Sequence, residues 1–136
     1  MRDVLLAMLF GMLSCAHAAD WAVVPMPPNL KVGGPLEVDR SSIIRSGPAV
    51  TVWTRAVYQN PQPVRTRWDT NGYYRIAMSM REFDCTRRLS ASRRAVFLLA
   101  AEDAIPVVDE AFSGALEPVR PDTRDETILN FVCGFK

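Results

Sequence analysis

Beyond residue 20 the apolar residues of this chain fall mostly at alternate positions, the period of strands whose two faces meet different surroundings. Trp21, Val23 and Val24 predict a short strand that runs into the stiff segment Pro25, Met26, Pro27, Pro28. A Gly33, Gly34, Pro35 turn precedes a second short strand, Leu36 to Asp39, and Asp39 to Ser42 reads as a bend. Ala49 to Tyr58 alternates more cleanly, with Val50, Val52, Ala56 and Tyr58 on one side and Trp53 and Val57 on the other. Its β-branched and aromatic content makes it a strand. Asn60, Pro61, Gln62, Pro63 is expected to end it, and Asp69, Thr70, Asn71, Gly72 to form a hairpin turn.

In the stretch Tyr73 to Leu89, Tyr74, Ile76, Met78 and Met80 point one way and Arg75, Ser79 and Arg81 the other, again period two. Past Glu82 the apolar residues switch parity to Phe83 and Cys85, which a β-bulge near Arg81 or Glu82 would explain. Arg94 to Ala101 is apolar on both faces, as expected of a strand covered on each side. One helix can cover only one of those faces; the other calls for a second layer or a partner subunit, and a homodimer is expected. The last element is a helix beginning after Pro121, capped by Asp122 or Thr123, with Asp125 and Glu126 suited to its positive end. Ile128, Leu129, Val132 and Cys133 share one of its faces, and Gly134 supplies the stop. The elements predict an α+β fold: an antiparallel sheet of about five to six strands with one C-terminal helix packed on it.

The first residues follow another logic. Arg2 precedes an unbroken apolar run from Val4 to Leu13 and then Ser14, Cys15, Ala16, His17, Ala18, the order of a secretory signal. The run is about half of the roughly 20 residues a membrane-crossing helix needs, so residues 1–18 are expected to be removed after Ala18. That leaves 19–136 as one domain, with no transmembrane span in the mature chain. Lipidation at Cys15 is the rival; Met12, Leu13, Ser14 match the lipoprotein pattern poorly. Cleavage also removes His17, the only histidine, and with it Ser/His/Asp and Cys/His catalysis and histidine metal sites. Two cysteines stay, Cys85 and Cys133. In an exported chain such a pair reads as a disulfide, here between the helix and the strand carrying Cys85, rather than as two buried thiols.

Composition is that of a folded domain, 49% hydrophobic and 23% charged. Charge is unevenly spread. Eight arginines lie between Arg65 and Arg94 against three acids, and eight acids between Glu102 and Asn130 against Arg120 and Arg124. An electropositive face is therefore expected, with Arg81, Arg87, Arg88, Arg93 and Arg94 as a candidate patch for a sulfated glycan, an acidic lipid or an extracellular protein. The competing account is that these arginines form a solvated surface that shields strand edges. Trp21, Trp53 and Trp68 are expected in the core or an interface. Nucleic acid is not expected, since no exposed aromatics interleave the basic residues at a stacking spacing. The turn at Asp69 lacks the later acid of a calcium loop, and Gly33, Gly34, Pro35 lacks the lysine and hydroxyl of a phosphate cradle. No cofactor is expected.

The chain resembles the surface-adhesin protein E domain family of Gram-negative bacteria. The resemblance rests on Trp21, then Val38, Asp39, Ser41, Ile43, Ile44 and Arg45, then Val50 to Thr54, then Phe83, Asp84 and Cys85, and finally Pro121, Asp122, Thr123 and Cys133. It implies an antiparallel sheet with a disulfide-linked C-terminal helix, and a non-enzymatic protein of the periplasm or cell surface. Position 123 departs from the pattern, with threonine where serine is commoner. Three functions follow as expectations: an adhesin-like binding module for an extracellular partner, a periplasmic structural or accessory protein binding itself or another bacterial protein, and, least supported, an enzyme using carboxylates alone.

Overall fold

A computed structural model of the protein describes residues 18–30, 34–65, 72–101, 103 and 105–134. Residues 1–17 of the signal segment, Cys15 included, and Trp68 with Asp69, Thr70 and Asn71 of the expected turn lie outside the described residues. Among the described residues eight strands form one antiparallel sheet: β1 (Trp21–Val23), β2 (Leu36–Asp39), β3 (Ile44–Ser46), β4 (Ala49–Pro63), β5 (Tyr73–Asp84), β6 (Leu89–Leu98), β7 (Val108–Ala111) and β8 (Glu117–Pro118). The order is β1-β2-β4-β5-β6-β7, with β3 joined to β4 and β8 to β6. The α+β class and the C-terminal helix are as expected. The strand count is higher because β3, β7 and β8 are only two to four residues long and mostly exposed, too short and too wet to leave an alternating pattern.

The long strand β4 does not stop at Asn60. It continues to Pro63, with a register shift against β5 between Val57 and Gln62. Pro61 falls inside that shift, where no ladder amide is required of it, so proline is tolerated where a regular strand would reject it. The expected bulge near Arg81 is present, but on the neighbouring strand. Met80 pairs with Arg94 and Arg81 with Ser92, leaving Arg93 of β6 as the extra residue. β5 itself stays in register with β4 from Asp84 back to Ile76, so its parity never flips. The apparent switch in the sequence marks two apolar faces used at different places. Phe83 shares the face of Val50 and Val52, whereas Met78 and Met80 share that of Trp53 and Arg55.

The helix α1 (Arg124–Cys133) lies on the first of these faces. The Thr123 hydroxyl accepts from the Glu126 amide at 3.3 Å while the Glu126 carboxylate accepts from the Asp122 amide at 2.9 Å, a reciprocal cap. Gly134 ends the helix in the left-handed region at φ 76°, where a Cβ would be strained. Ile128, Leu129 and Val132 enter a core made with Val24, Leu36, Val38, Val50, Val52 and Phe83. A ten-residue helix is about 15 Å long and a fifteen-residue strand about 50 Å, so α1 can fill only part of the face it covers.

Candidate functional site

Two of the links between α1 and the sheet act at the C-terminal end of the helix. Cys85 follows β5 and is bonded to Cys133 in the last turn of the helix, with Cα atoms 5.7 Å apart and a sequence separation of 48. From β3, Arg45 donates to the Val132 carbonyl at 2.6 Å, satisfying one of the acceptors a helix end leaves open.

The tight turn after β5 is organised by Asp84, whose side chain is almost fully buried. Its carboxylate accepts from the amides of Arg87 and Thr86 and from the Arg87 guanidinium at 2.7 Å. The Arg87 amide and side chain hold that carboxyl below the usual carboxylate range, against the opposing effect of burial. Asp39 plays the same part after β2. Burial is the largest single influence and acts upward, but bonds from the Ser41 hydroxyl and from the amides of Asp20 and Ser41 together outweigh it and lower its pKa.

The five arginines expected to form a patch are each matched to an acid. Arg87 meets Asp84, as above, and Arg81 of β5 meets Asp125 of α1, which also accepts from the Ser90 hydroxyl at 2.9 Å. Arg88 sits in the left-handed region at φ 54° and reaches Glu126 at 3.1 Å and Asn130 at 3.3 Å, both on the helix. The bulge residue Arg93 pairs with Glu82 at 2.5 Å. Arg94 makes a two-pronged pair with Asp109 of β7, which lowers the Asp109 pKa and raises that of Arg94. The basic segment and the acidic segment of the sequence are thus folded onto one another. The five side chains also divide between faces: Arg81 looks toward α1, while Arg94 is cross-strand to Met80 on the opposite side. Arg81 has a further peculiarity, a buried Nε–H without a partner.

The face opposite α1 is built differently. Trp53, Met78, Met80 and Val96 stand on it partly exposed, and no described helix or strand covers them. Its rim is polar, with Arg55 bonded to Glu37 at 2.5 Å and stacked over Trp21 at 4.2 Å, and the Arg94–Asp109 pair at the other side. Trp21 and Trp53 therefore belong to this face rather than to the core under the helix.

A single antiparallel sheet with a disulfide-pinned helix on one face and a mixed apolar and polar surface on the other defines a small cross-linked α+β module. The sequence pattern of the Surface-adhesin protein E family matches residues 28–134, and the chain belongs to that family. No curated protein matches it. Among solved structures it is similar to protein E from non-typeable Haemophilus influenzae, at 12% identity and a TM-score of 0.56, covering 86% of each chain. A second crystal form of Haemophilus influenzae protein E gives 12% identity and 0.58 over 83% of this chain and 96% of that one. A third structure of that protein gives 14% and 0.52 over 84% and 93%. At such identity the likeness is one of fold. No described helix is long and apolar enough to cross a membrane.

Proposed function

We propose that this chain is an exported, non-enzymatic module of a bacterial envelope that binds an extracellular protein through the sheet face opposite α1. The observation that carries the reading is the contrast between the two faces. One is filled by the helix; the other presents Trp53, Met78, Met80 and Val96 inside a rim of ion pairs. An apolar centre rich in aromatic and methionine side chains with a charged rim is the composition of protein contact surfaces. Membership of a family of surface adhesins supports attachment as the purpose of that face. Cleavage after Ala18 would deliver residues 19–136 to the periplasm or the cell surface, and lipidation at Cys15 would instead tether the same module to a membrane. A second reading, an accessory protein that stays in the periplasm and pairs with itself, draws on the same face, since Val96 and Leu98 of β6 lie on it.

Protease shaving of intact cells followed by mass spectrometry separates the two. Peptides from β4 to β6 released without permeabilisation are the expected result. Release only from permeabilised cells would move the protein to the periplasm and replace attachment by the accessory role. The N-terminal residue of the recovered protein, Ala19 or an acylated Cys15, decides the form in which it is exported.

A further inference from the structure

We propose that the cleft between the 111–120 segment and the start of α1 binds an anionic saccharide, one whose rings carry sulfate or uronic carboxylate groups. This site lies on the helix side of the sheet and stands whether or not the open face binds a protein. The cleft measures about 870 Å³, within the range of roughly 300–1,000 Å³ typical of small-ligand sites. Arg81 enters it from β5, and Arg120 and Arg124 from either side of the helix cap.

The charge of the cleft comes from the last two. Arg81 is closed by its pair with Asp125 and by a bond from Nη1 to the Ser92 hydroxyl at 2.7 Å, so it forms a fixed part of the wall. Arg120 and Arg124 have no ion-pair partner among the described residues, unlike the paired-strand arginines. With Asp125 engaged by Arg81 and Ser90, the remaining acid of the lining is Glu117, one carboxylate against the two guanidinium groups of Arg120 and Arg124. The helix end adds little, because Thr123 and Glu126 already occupy the amides of Glu126 and Asp122.

The rest of the lining selects the class of anion. A planar guanidinium fork matches the paired oxygens of a sulfate or carboxylate. Ser92 and Ser113 bring hydroxyl groups, and Phe112, 39% exposed, offers an apolar wall on which the flat face of a sugar ring can rest. A membrane surface is broad and flat and would not enter a recess of this kind, and a nucleic acid would call for more than one aromatic platform.

The test is a titration of the ¹⁵N-labelled protein with a heparin-derived tetrasaccharide, a hyaluronan tetrasaccharide and neutral tetraacetylchitotetraose, followed by amide shifts. Saturable shifts at Ser92, Phe112 and Arg124 are expected with the charged sugars and absent with a neutral one. A stronger response to heparin assigns sulfate as the recognised group, and a stronger response to hyaluronan assigns carboxylate. The double variant Arg120→Gln/Arg124→Gln should keep its melting temperature and lose about tenfold or more in affinity, the loss expected for removing charged hydrogen-bond donors. Arg40→Gln, at an exposed ion pair with Asp20 outside the cleft, should bind as the parent does. The proposal is overturned by no saturable shift with either charged sugar, by shifts that map elsewhere, by undiminished binding in the double variant, or by an equal loss in Arg40→Gln.

Discussion

Under α1, Val38, Phe83 and Leu129 lose all contact with solvent, whereas at the far end of the same strands β4 finishes on exposed residues and Tyr73 remains 59% accessible. Both ends are built from one antiparallel ladder, so backbone pairing does not separate them. What differs is the third dimension. The near end has a helix, a disulfide and buried carboxylates at Asp39 and Asp84. The far end relies on a cross-strand aromatic group, with Tyr58 edge-on to Tyr74 at 5.8 Å and Tyr74 stacked on Phe97 at 4.5 Å. The lesson is that a sheet this long has its main core where the helix lies, and beyond the helix keeps only local burial, at Val64 and Ile76, beside an exposed margin.

Removing the cross-link tests the near end most severely. Cys85→Ser/Cys133→Ser should cost about 4 kcal/mol, the entropy of releasing a closed segment of this length. In hydrogen exchange, α1 should lose protection before β4 and β5 do; a uniform loss along the whole sheet would erase the distinction between the ends. A smaller effect is expected from Phe97→Ala. It removes one stacked ring from a partly exposed group and should cost about 1–2 kcal/mol in a denaturant melt, while leaving exchange under α1 unchanged. A cost equal to that of the cysteine variant would mean that the far end is a second core.

The mildest probe is acid. Asp84 and Asp39 have folded pKa values below the usual 3.8, so the stability they give is complete above that value and is lost as pH falls through the lower, folded values. Melting temperature should therefore hold down to about pH 4 and drop beneath it. Asp84→Asn should show a shallower drop; an unchanged slope would remove the Asp84 turn from the near end's acid response.

The near end was largely legible in the sequence. Thr123, the Ile128, Leu129, Val132 stripe and Gly134 each have a local signature, and two cysteines in an exported-looking chain leave one pairing. The far end was not. Pro61 is a stop signal on any local rule, and only the shifted pairing with β5 makes it acceptable. The position of the bulge was readable but its strand was not, because a parity change in one strand cannot say which neighbour carries the extra residue. The pairing of the arginine cluster was hidden for a related reason. Its acids come from β7 and α1 as well as from β5 itself, and partners 15 to 44 positions away, such as Asp109 for Arg94 and Asp125 for Arg81, are invisible until the chain is folded. The cleft at Arg120 and Arg124 gave no signal at all, being formed by a loop without periodicity.

The bond between Cys85 and Cys133 has a mechanical side. β6, β7, β8 and α1 lie within the segment it closes, and β1 to β5 lie outside. A pull along the backbone can peel and lengthen the outer strands, but the force passes through the sulfur bridge and bypasses the 48-position segment. Roughly 160 Å of contour is thereby withheld from extension for as long as the bridge is oxidised. Under tension such a protein extends only through the strands that precede the bridge, while β6, β7, β8 and α1 stay within a closed loop.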